Sequence, residues 1–429
     1  MRELIERLST GSTAVPTTAF GRLRRTAGAL LRGRSALLSG EEVDIAAVER
    51  LVRSFGELKG VAMKMGQILS YVDDALPAET SALLGVLRTW SQPTPFEQVE
   101  QIIREDLGGR SAELLLRLER QPVSSASIGQ VHRGRLPGGE QVAVKVRHPG
   151  IDDAIRADFQ AARAGTAFAQ LLLPGADIRT FIHEARTGFL EECDYRLEAR
   201  RQQRFVELCA DDERISIPKV HHEWSGERVL PTEWHDGRSL DDFLATQPSG
   251  EERARVGRAL YEFYVGMLYR HGLFNADPHP GNLLFRPDGR VTVLDHGCVR
   301  EFDRDTVAAI AALSQAVRLD DAGAIRAALV RVGAKDPGAK KAYEVTRGLL
   351  RAFYAPVLEP GPRRVSAGIS HSMKKIVASK RSIMRLHLPG KLLFLFRIRF
   401  GLYAVLARLG AELDLRELEE RLANAAALP

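Results

Sequence analysis

One stretch limits the folds open to this chain more than any other. From His271 to Gly297 it reads HGLFNADPHPGNLLFRPDGRVTVLDHG. Asn282 stands five residues after Asp277, and Asp295 thirteen after Asn282. Asn282-Leu283-Leu284-Phe285 and Val291-Thr292-Val293-Leu294 read as two short strands joined by a turn at Pro287-Asp288-Gly289. Such a hairpin brings Asn282 and Asp295 together at its open end. The plainer reading is a Pro/Gly-rich loop and an ordinary surface hairpin. Three polar residues at these intervals, on these elements, favour a built site.

The chain has 429 residues, enough for two or three packed units with a core. Its apolar and charged fractions are those of a globular protein. The formal charge is +6, owed more to Arg than to Lys. Basicity this diffuse suits phosphates or an anionic lipid surface, and it does not mark a nucleic-acid binder. Cys193, Cys209 and Cys298 form no C-x-x-C, and an odd count gives no disulfide framework. The first residues lack the apolar core of a signal peptide. No apolar run reaches membrane-spanning length; the nearest, Leu392 to Leu406, is broken by Arg397 and Arg399. The expectation is a cytoplasmic protein, soluble or peripheral at the inner face of a membrane.

Residues 1–40 form a basic segment, with Arg22 to Arg34 either a solvated helix or a surface helix that meets anionic lipid. Residues 41–119 read as helical, with Leu58, Val61, Met65, Ile68, Leu69 and Val72 at helical spacing. Lys64 and Gln67 share a face of that helix. Gly66 between them costs about 1 kcal/mol against Ala, which marks a close backbone approach. From Pro122 the period becomes strand-like. Ser124, Ser125, Ala126, Ser127, Ile128, Gly129, Gln130, Val131 and His132 precede a turn at Pro137–Glu140, and a strand from Gln141 to Val146 carries Lys145 near its end. Thr180 to Val206 reads as one long helix bearing Glu192, Asp194 and Glu198. Ile217–Val220 and Arg228–Trp234 read as strands, followed by a helix capped at Ser239 with Asp242 at its N3 position. Glu251 to His271 reads as an amphipathic helix. After Gly297 a helix begins almost at once, at Asp303, and the remainder reads as helical, with a basic run from Lys374 to Arg381.

In protein kinases a catalytic Asp stands five residues before an Asn, and a metal-binding Asp-x-Gly follows on the next hairpin. One carboxylate orients the attacking hydroxyl or water, while an amide and a second carboxylate hold the ions that neutralise the triphosphate. On that pattern Asp277 is the first group and Asn282 and Asp295 are the Mg²⁺ ligands. Lys145 ends a V-A-V-K strand and matches the lysine on the ATP phosphates. The small residues of Ser124 to Val131 let backbone N–H groups approach phosphate. A helical Glu should pair with Lys145, and Glu198 is the candidate. Glu233, Trp234 and His235 occupy the hinge, where backbone binds adenine. No long activation segment and no Ala-Pro-Glu follow Gly297, which argues against a peptide substrate.

Together these residues resemble the AarF/UbiB family of atypical kinases, the ADCK-like proteins. The likeness rests on K-x-G-Q at Lys64 to Gln67, the loop ending Ser127-Ile128-Gly129-Gln130-Val131-His132, the V-A-V-K lysine, E-x-D at Glu192 to Asp194, Glu198-Ala199, and A-D-P-H-P-G-N at Ala276 to Asn282. It implies an α+β, two-lobed protein-kinase-like fold. The expected domains are the basic segment (1–40), a helical K-x-G-Q extension (41–119), an N-lobe with inserted helices (120–234) and a mostly helical C-lobe (235–429). It also implies ATP and Mg²⁺ as ligands, and phosphoryl transfer to water or to a small-molecule or lipid acceptor. Links to isoprenoid-lipid or quinone intermediates, to lipid-pathway enzymes and to membranes come with it. Lys64, Gly66 and Gln67 would be regulatory, with Lys64 paired to Glu192 and Asp194. The sequence departs from the family at Ser124 and Ser125, where alanines are common, so ATP against ADP preference does not transfer. Asn275 replaces a His before Ala-Asp, and His296 replaces the Phe of Asp-Phe-Gly, so the packing of the catalytic core should differ. Two other readings stay open: a small-molecule kinase of the aminoglycoside or choline kinase type, and an ATP-switched scaffold with little turnover.

Overall fold

The computed structural model describes residues 93–125, 128–164, 186–334, 340–365 and 390–426. The K-x-G-Q residues Lys64, Gly66 and Gln67, loop residues Ala126 and Ser127, and both basic runs lie outside them. The chain divides into two compact units. One takes in Ile178–Ala199, Val220–Trp234 and everything up to Leu172; the other holds Leu173–Asp177, Arg200–Lys219 and His235–Pro429.

The first unit is built on a four-stranded sheet in the order β1 (Leu118–Ser125), β2 (Gly129–Arg135), β3 (Gln141–Arg147), β5 (Val229–Glu233), every pair antiparallel. Period two along β3 sends Val142, Val144 and Val146 to one face, where they are buried with Val99, Ile102 and Ile103 of the Phe96–Leu107 helix. So the described end of the expected extension, residues 93–117, is part of this unit's core. The Phe96–Leu107 helix stops at Gly108, whose φ of +57° suits glycine. The other face of the sheet supports a second core of Ile128, Ile151, Ile155, Phe159, Phe189, Tyr195 and Leu230.

The long helix expected over 180–206 is interrupted. One helix covers 186–192, and a second runs from Tyr195 to Leu208. At the break the Arg147 guanidinium donates to the Cys193 carbonyl at 2.5 Å, taking up an acceptor that a continuous helix would use. Asp194 then caps the new helix, its Oδ1 accepting the Leu197 N–H at 3.1 Å. The strand expected at Ile217–Val220 is also displaced. Pro218 has no N–H to give to a ladder. Pairing is confined to β4 (Ile215–Ser216) and to a lone bridge between Val220 and Thr232. β4 lies parallel to a strand of the second unit, so residues 200–219, read with the first lobe from sequence, cluster with the second.

The Gly250–His271 helix is the core of the second unit. A capping box between Ser249 and Glu252 starts it, and Gly272 in the left-handed conformation ends it. Read as amphipathic, it is instead buried on nearly every side from Val256 to Tyr269, because the helices Arg304–Arg318, Gly390–Leu409 and Leu415–Ala426 pack around it. Beyond it come β6 (Leu273–Asn275) paired with β9 (Val299–Glu301), and β7 (Leu283–Phe285) paired with β8 (Val291–Val293), all antiparallel. Among the described residues, the regular structure after β9 is helical apart from a ribbon of two residues on each side, Arg363–Arg364 with Glu412–Leu413. Arg399, which broke the apolar run, is 2% exposed and pairs with the fully buried Glu419 at 2.6 Å. Among the described residues no helix is long and apolar enough to cross a membrane.

Candidate active site

In the first unit the Lys145 Nζ donates to both oxygens of Glu198, at 2.8 and 3.0 Å. The two residues are 53 apart in sequence. Period two makes this meeting possible, because Lys145 points to the face opposite Val144 and Val146, toward the Tyr195–Leu208 helix. Glu198 sits in the first turn of that helix, where the helix dipole favours a carboxylate. The Lys145 side chain keeps 15% of its surface, whereas Glu198 keeps 1%. Tyr195 supports the pair with its ring, 5.2 Å from Nζ.

The small-residue loop divides in its use. Ser124 pairs with Val131 and Ser125 with Gln130 across β1 and β2. Ile128 is buried in the second core. Gly129 is a glycine because Tyr195 comes close: a Cβ there would lie 2.5 Å from both the Tyr195 hydroxyl and the Val146 carbonyl. Gln130 is 1% exposed, and its amide is taken up inside. It accepts from the Thr94 N–H at 2.7 Å and donates to the Thr94 carbonyl at 3.2 Å. His132 beside it is fully buried, 2.8 Å from the Gln130 nitrogen and 2.8 Å from the Glu119 carbonyl; burial holds its imidazole below the usual range. The inward half of this motif therefore ties the residues before the Phe96–Leu107 helix to β2. At the expected hinge, Glu233 pairs with Val142, and the Trp234 N–H donates to the Gln141 carbonyl at 3.0 Å under the Arg133 guanidinium. Glu192 is buried, and the Asp194 carboxylate serves as the helix cap.

In the second unit Asp277, Asn282 and Asp295 are drawn together by short-range bonds. The Asn282 Nδ2 donates to the Asp277 carboxylate at 2.9 Å, and the Leu294 N–H to the Asn282 carbonyl at 2.9 Å. Asp295 Oδ1 accepts the Gly297 N–H at 2.9 Å. Asn275, the first departure, is the brace of this group. Its Oδ1 accepts the Asp277 N–H at 3.1 Å and its Nδ2 donates to the Asp295 carbonyl at 2.7 Å. His296, the second departure, is fully buried and packs 4.9 Å from the ring of Phe205. Arg201 holds the Gly297 carbonyl at 2.8 Å, and His279 Nδ1 accepts the Gly281 N–H at 3.0 Å. His235, expected at the hinge, is 3.0 Å from the Thr292 hydroxyl on β8. Sequence reasoning missed Tyr195, Arg201 and the role of Asn275. Only Asn275 carried a signal, its place two residues before Asp277.

After β9 the Arg304–Arg318 helix begins at once, capped by Asp303. The structure thus has a lysine–glutamate pair on a small antiparallel sheet, an Asp–Asn–Asp group on short hairpins, and six residues between Gly297 and the next helix. Residues 86–329 match the ABC1 atypical kinase-like domain. The chain belongs to that family. AarF domain-containing protein kinase 1 of Xenopus tropicalis is 30% identical over 298 residues, 68% of this chain and 57% of that protein. The mitochondrial atypical kinase COQ8 of Saccharomyces cerevisiae is 28% identical over 278 residues, 64% of this chain and 54% of that protein. The chain thus spans little more than half the length of these curated relatives. Among solved structures, Rv3197 of Mycobacterium tuberculosis in complex with erythromycin matches with a TM-score of 0.62 at 28% identity, covering 90% of this chain and 97% of that one. The mixed helix-and-sheet, kinase-like fold expected from sequence is the one found.

Proposed function

We propose that the chain is an ATP- and Mg²⁺-dependent atypical kinase or ATPase of the UbiB type, serving isoprenoid-lipid or quinone metabolism. The Lys145–Glu198 pair carries the reading. Glu198 keeps 1% of its side-chain surface, so Lys145 is held from the acid side, and the α- and β-phosphates would approach it where 15% of its own side chain is exposed. The Asp–Asn–Asp group fits Mg²⁺. Its donors are hard oxygens, and since the Asn282 Nδ2 is spent on Asp277, the amide oxygen is the atom by which Asn282 would bind a cation. Asn282 and Asp295 would hold the ion, which supplies neutralisation of phosphate charge when bound. Asp277 orients the attacking water or hydroxyl. The acceptor is water or a small-molecule or lipid hydroxyl, because the six residues 298–303 between Gly297 and the next helix form no peptide platform. The basic runs Arg22–Arg34 and Lys374–Arg381 would hold the protein at an anionic membrane face, near lipid-pathway enzymes. Lys64, Gly66 and Gln67 would regulate the site through Glu192 and Asp194.

A purified full chain should release phosphate from Mg²⁺-ATP, faster with anionic liposomes and a soluble quinone-precursor phenol. Asp277→Asn should stop release and spare binding; normal hydrolysis by that variant would remove Asp277 from this role. The short 298–303 connection also suits a small-molecule kinase. Phosphate incorporated into an aminoglycoside, choline or a macrolide, with no response to liposomes, would favour that reading.

A further inference from the structure

Gln130 and His132 alternate along β2, opposite Val146 and Val144, so both side chains enter the same buried face of the sheet. Their hydrogen bonds leave no freedom in where the protons lie. The Thr94 N–H can only donate, and it meets the Gln130 Oε1 at 2.7 Å. The Thr94 carbonyl can only accept, and the Gln130 Nε2 lies 3.2 Å from it. These two backbone groups fix the amide. Turned over, it would set N–H against N–H and oxygen against oxygen. The second Nε2 hydrogen points to the His132 Nε2, 2.8 Å away, which must therefore carry a lone pair. The Glu119 carbonyl, 2.8 Å from the His132 Nδ1, requires the proton there. The network thus assigns His132 to one species, the neutral imidazole protonated at Nδ1. A second proton, on Nε2, would face the Gln130 N–H₂. Either the His132–Gln130 bond or the Gln130–Thr94 pair would then break.

Gln130 also pairs with Ser125 across β1 and β2, so these two residues form the neck of the Ser124–Val131 loop. Thr94 is tied to that loop a second time. Its Oγ1 lies 2.7 Å from the His148 Nδ1, and the His148 N–H donates to the Ile128 carbonyl at 2.9 Å. Nothing around His132 favours a positive charge. The Phe96 ring packs 5.8 Å from the imidazole. Glu97 and Arg120 pair with each other at the surface, and the Glu119 side chain is exposed. Period two sends Arg133, Lys145 and Arg147 to the other face of the sheet. We propose that Gln130 and His132 are positioning residues for the Ser124–Val131 loop: they latch Thr94 to its neck, and the latch holds only while His132 is neutral. The inference rests on the nucleotide-binding function proposed above. Burial keeps the folded imidazole below its ordinary 6.5. The latch is therefore whole above pH 6.5 and is lost as the pH falls through the lower folded value.

The test uses the full chain with isotope-labelled histidine. Long-range proton–nitrogen NMR spectra show which ring nitrogen carries hydrogen, with His132 assigned by its loss in His132→Asn. Thr94 stands between Pro93 and Pro95, which have no N–H, so its amide exchange is read in isolation. At about pH 7.5 His132 should be neutral with its hydrogen on Nδ1. Toward about pH 5, Thr94 protection, corrected for the intrinsic rate, should fall about tenfold as His132 takes its second proton. Gln130→Glu should remove this response. Its carboxylate still accepts from the Thr94 N–H and would also accept from an Nε2–H, so His132 should keep a second proton at neutral pH. The Kd of the wild type for Mg²⁺-ATP, divided by that of Gln130→Glu to cancel the protonation of ATP itself, should rise about three- to tenfold over the same range. A neutral His132 with its hydrogen on Nε2 would overturn the inference, and so would Thr94 protection indifferent to His132 protonation. Both need only the wild-type fold, so they decide the latch even if Gln130→Glu does not fold. The expected tautomer with a constant Kd ratio would overturn the positioning role. A wild type that binds no Mg²⁺-ATP at any pH would instead overturn the proposed function itself.

Discussion

Two buried cation–carboxylate pairs, one in each unit, look alike on paper and differ in what surrounds them. Arg399 and Glu419 keep 2% and 0% of their side-chain surface. Glu419 also accepts from Tyr261 at 2.5 Å, Tyr269 at 2.7 Å and Ser314 at 2.6 Å. Arg399 lies near the rings of Phe353 and Tyr354. Four donors, Arg399 included, reach the Glu419 carboxylate and it is fully buried, so the pair is closed to any ligand. In the other pair Glu198 keeps 1% of its side-chain surface and Lys145 keeps 15%. A fully buried pair specifies packing; a pair whose lysine reaches the surface is the kind that can also meet a ligand.

Breaking the closed pair should have the largest effect. Arg399→Met strands a charged Glu419 in the core and should cost about 3–5 kcal/mol in urea unfolding. Replacing both, Arg399→Met with Glu419→Leu, should restore much of that loss. If the double variant unfolds as easily as the single one, the pair does more than fill and orient the core. Lys145→Met should behave in the opposite sense. Its stability loss should be smaller, roughly 1–3 kcal/mol, because the lysine is partly solvated. Mg²⁺-ATP binding should weaken about thirtyfold or more through the lost charge-assisted bonds. Equal stability losses in the two single variants, with ATP binding intact in both, would erase the distinction.

Acid unfolding sharpens the same contrast. Burial works to raise the Glu419 pKa, but the Arg399 charge and the hydrogen bonds prevail and hold it down at about 2 against an ordinary 4.5. Its contribution is therefore complete above pH 4.5 and disappears as the pH falls from there toward 2. The wild type should lose on the order of 3 kcal/mol across that window from this group. The Arg399→Met, Glu419→Leu variant should show a flatter acid limb in pH-dependent unfolding. Gln130→Ala should have the smallest effect, about 1–2 kcal/mol, since it strands Thr94 backbone groups that are only part-buried. It should still release phosphate if Gln130 acts by tying Thr94 to β2.

Much of this was legible because it is local. The Pro287-Asp288-Gly289 turn, the Ser239 and Asp303 caps and the Pro137–Glu140 hairpin are set by residues a few positions apart. The spacing of Asp277, Asn282 and Asp295 was readable for the same reason. What escaped was decided at a distance. The helix break at Cys193 falls where Arg147, 46 residues away, takes up the carbonyl. The Gly250–His271 helix read as amphipathic, yet even its charged Glu262 is buried, paired with Arg214 and Arg421, which reach in from the surface. Arg399 read as a charge that spoiled an apolar helix, since nothing local named Glu419 as its partner. Asn275 looked like a loss of the family's histidine. Its amide, with a donor and an acceptor at one end, bridges Asp277 and Asp295 in a way that only the fold reveals.

The most direct measurement is calorimetric titration of Mg²⁺-ATP into three proteins: the wild type, Lys145→Met, and the Arg399→Met, Glu419→Leu double variant. Binding should be present in the wild type, lost or weakened at least thirtyfold in Lys145→Met, and kept within about twofold in the double variant. Wild-type affinity in Lys145→Met would contradict the assignment of the Lys145–Glu198 pair to the nucleotide.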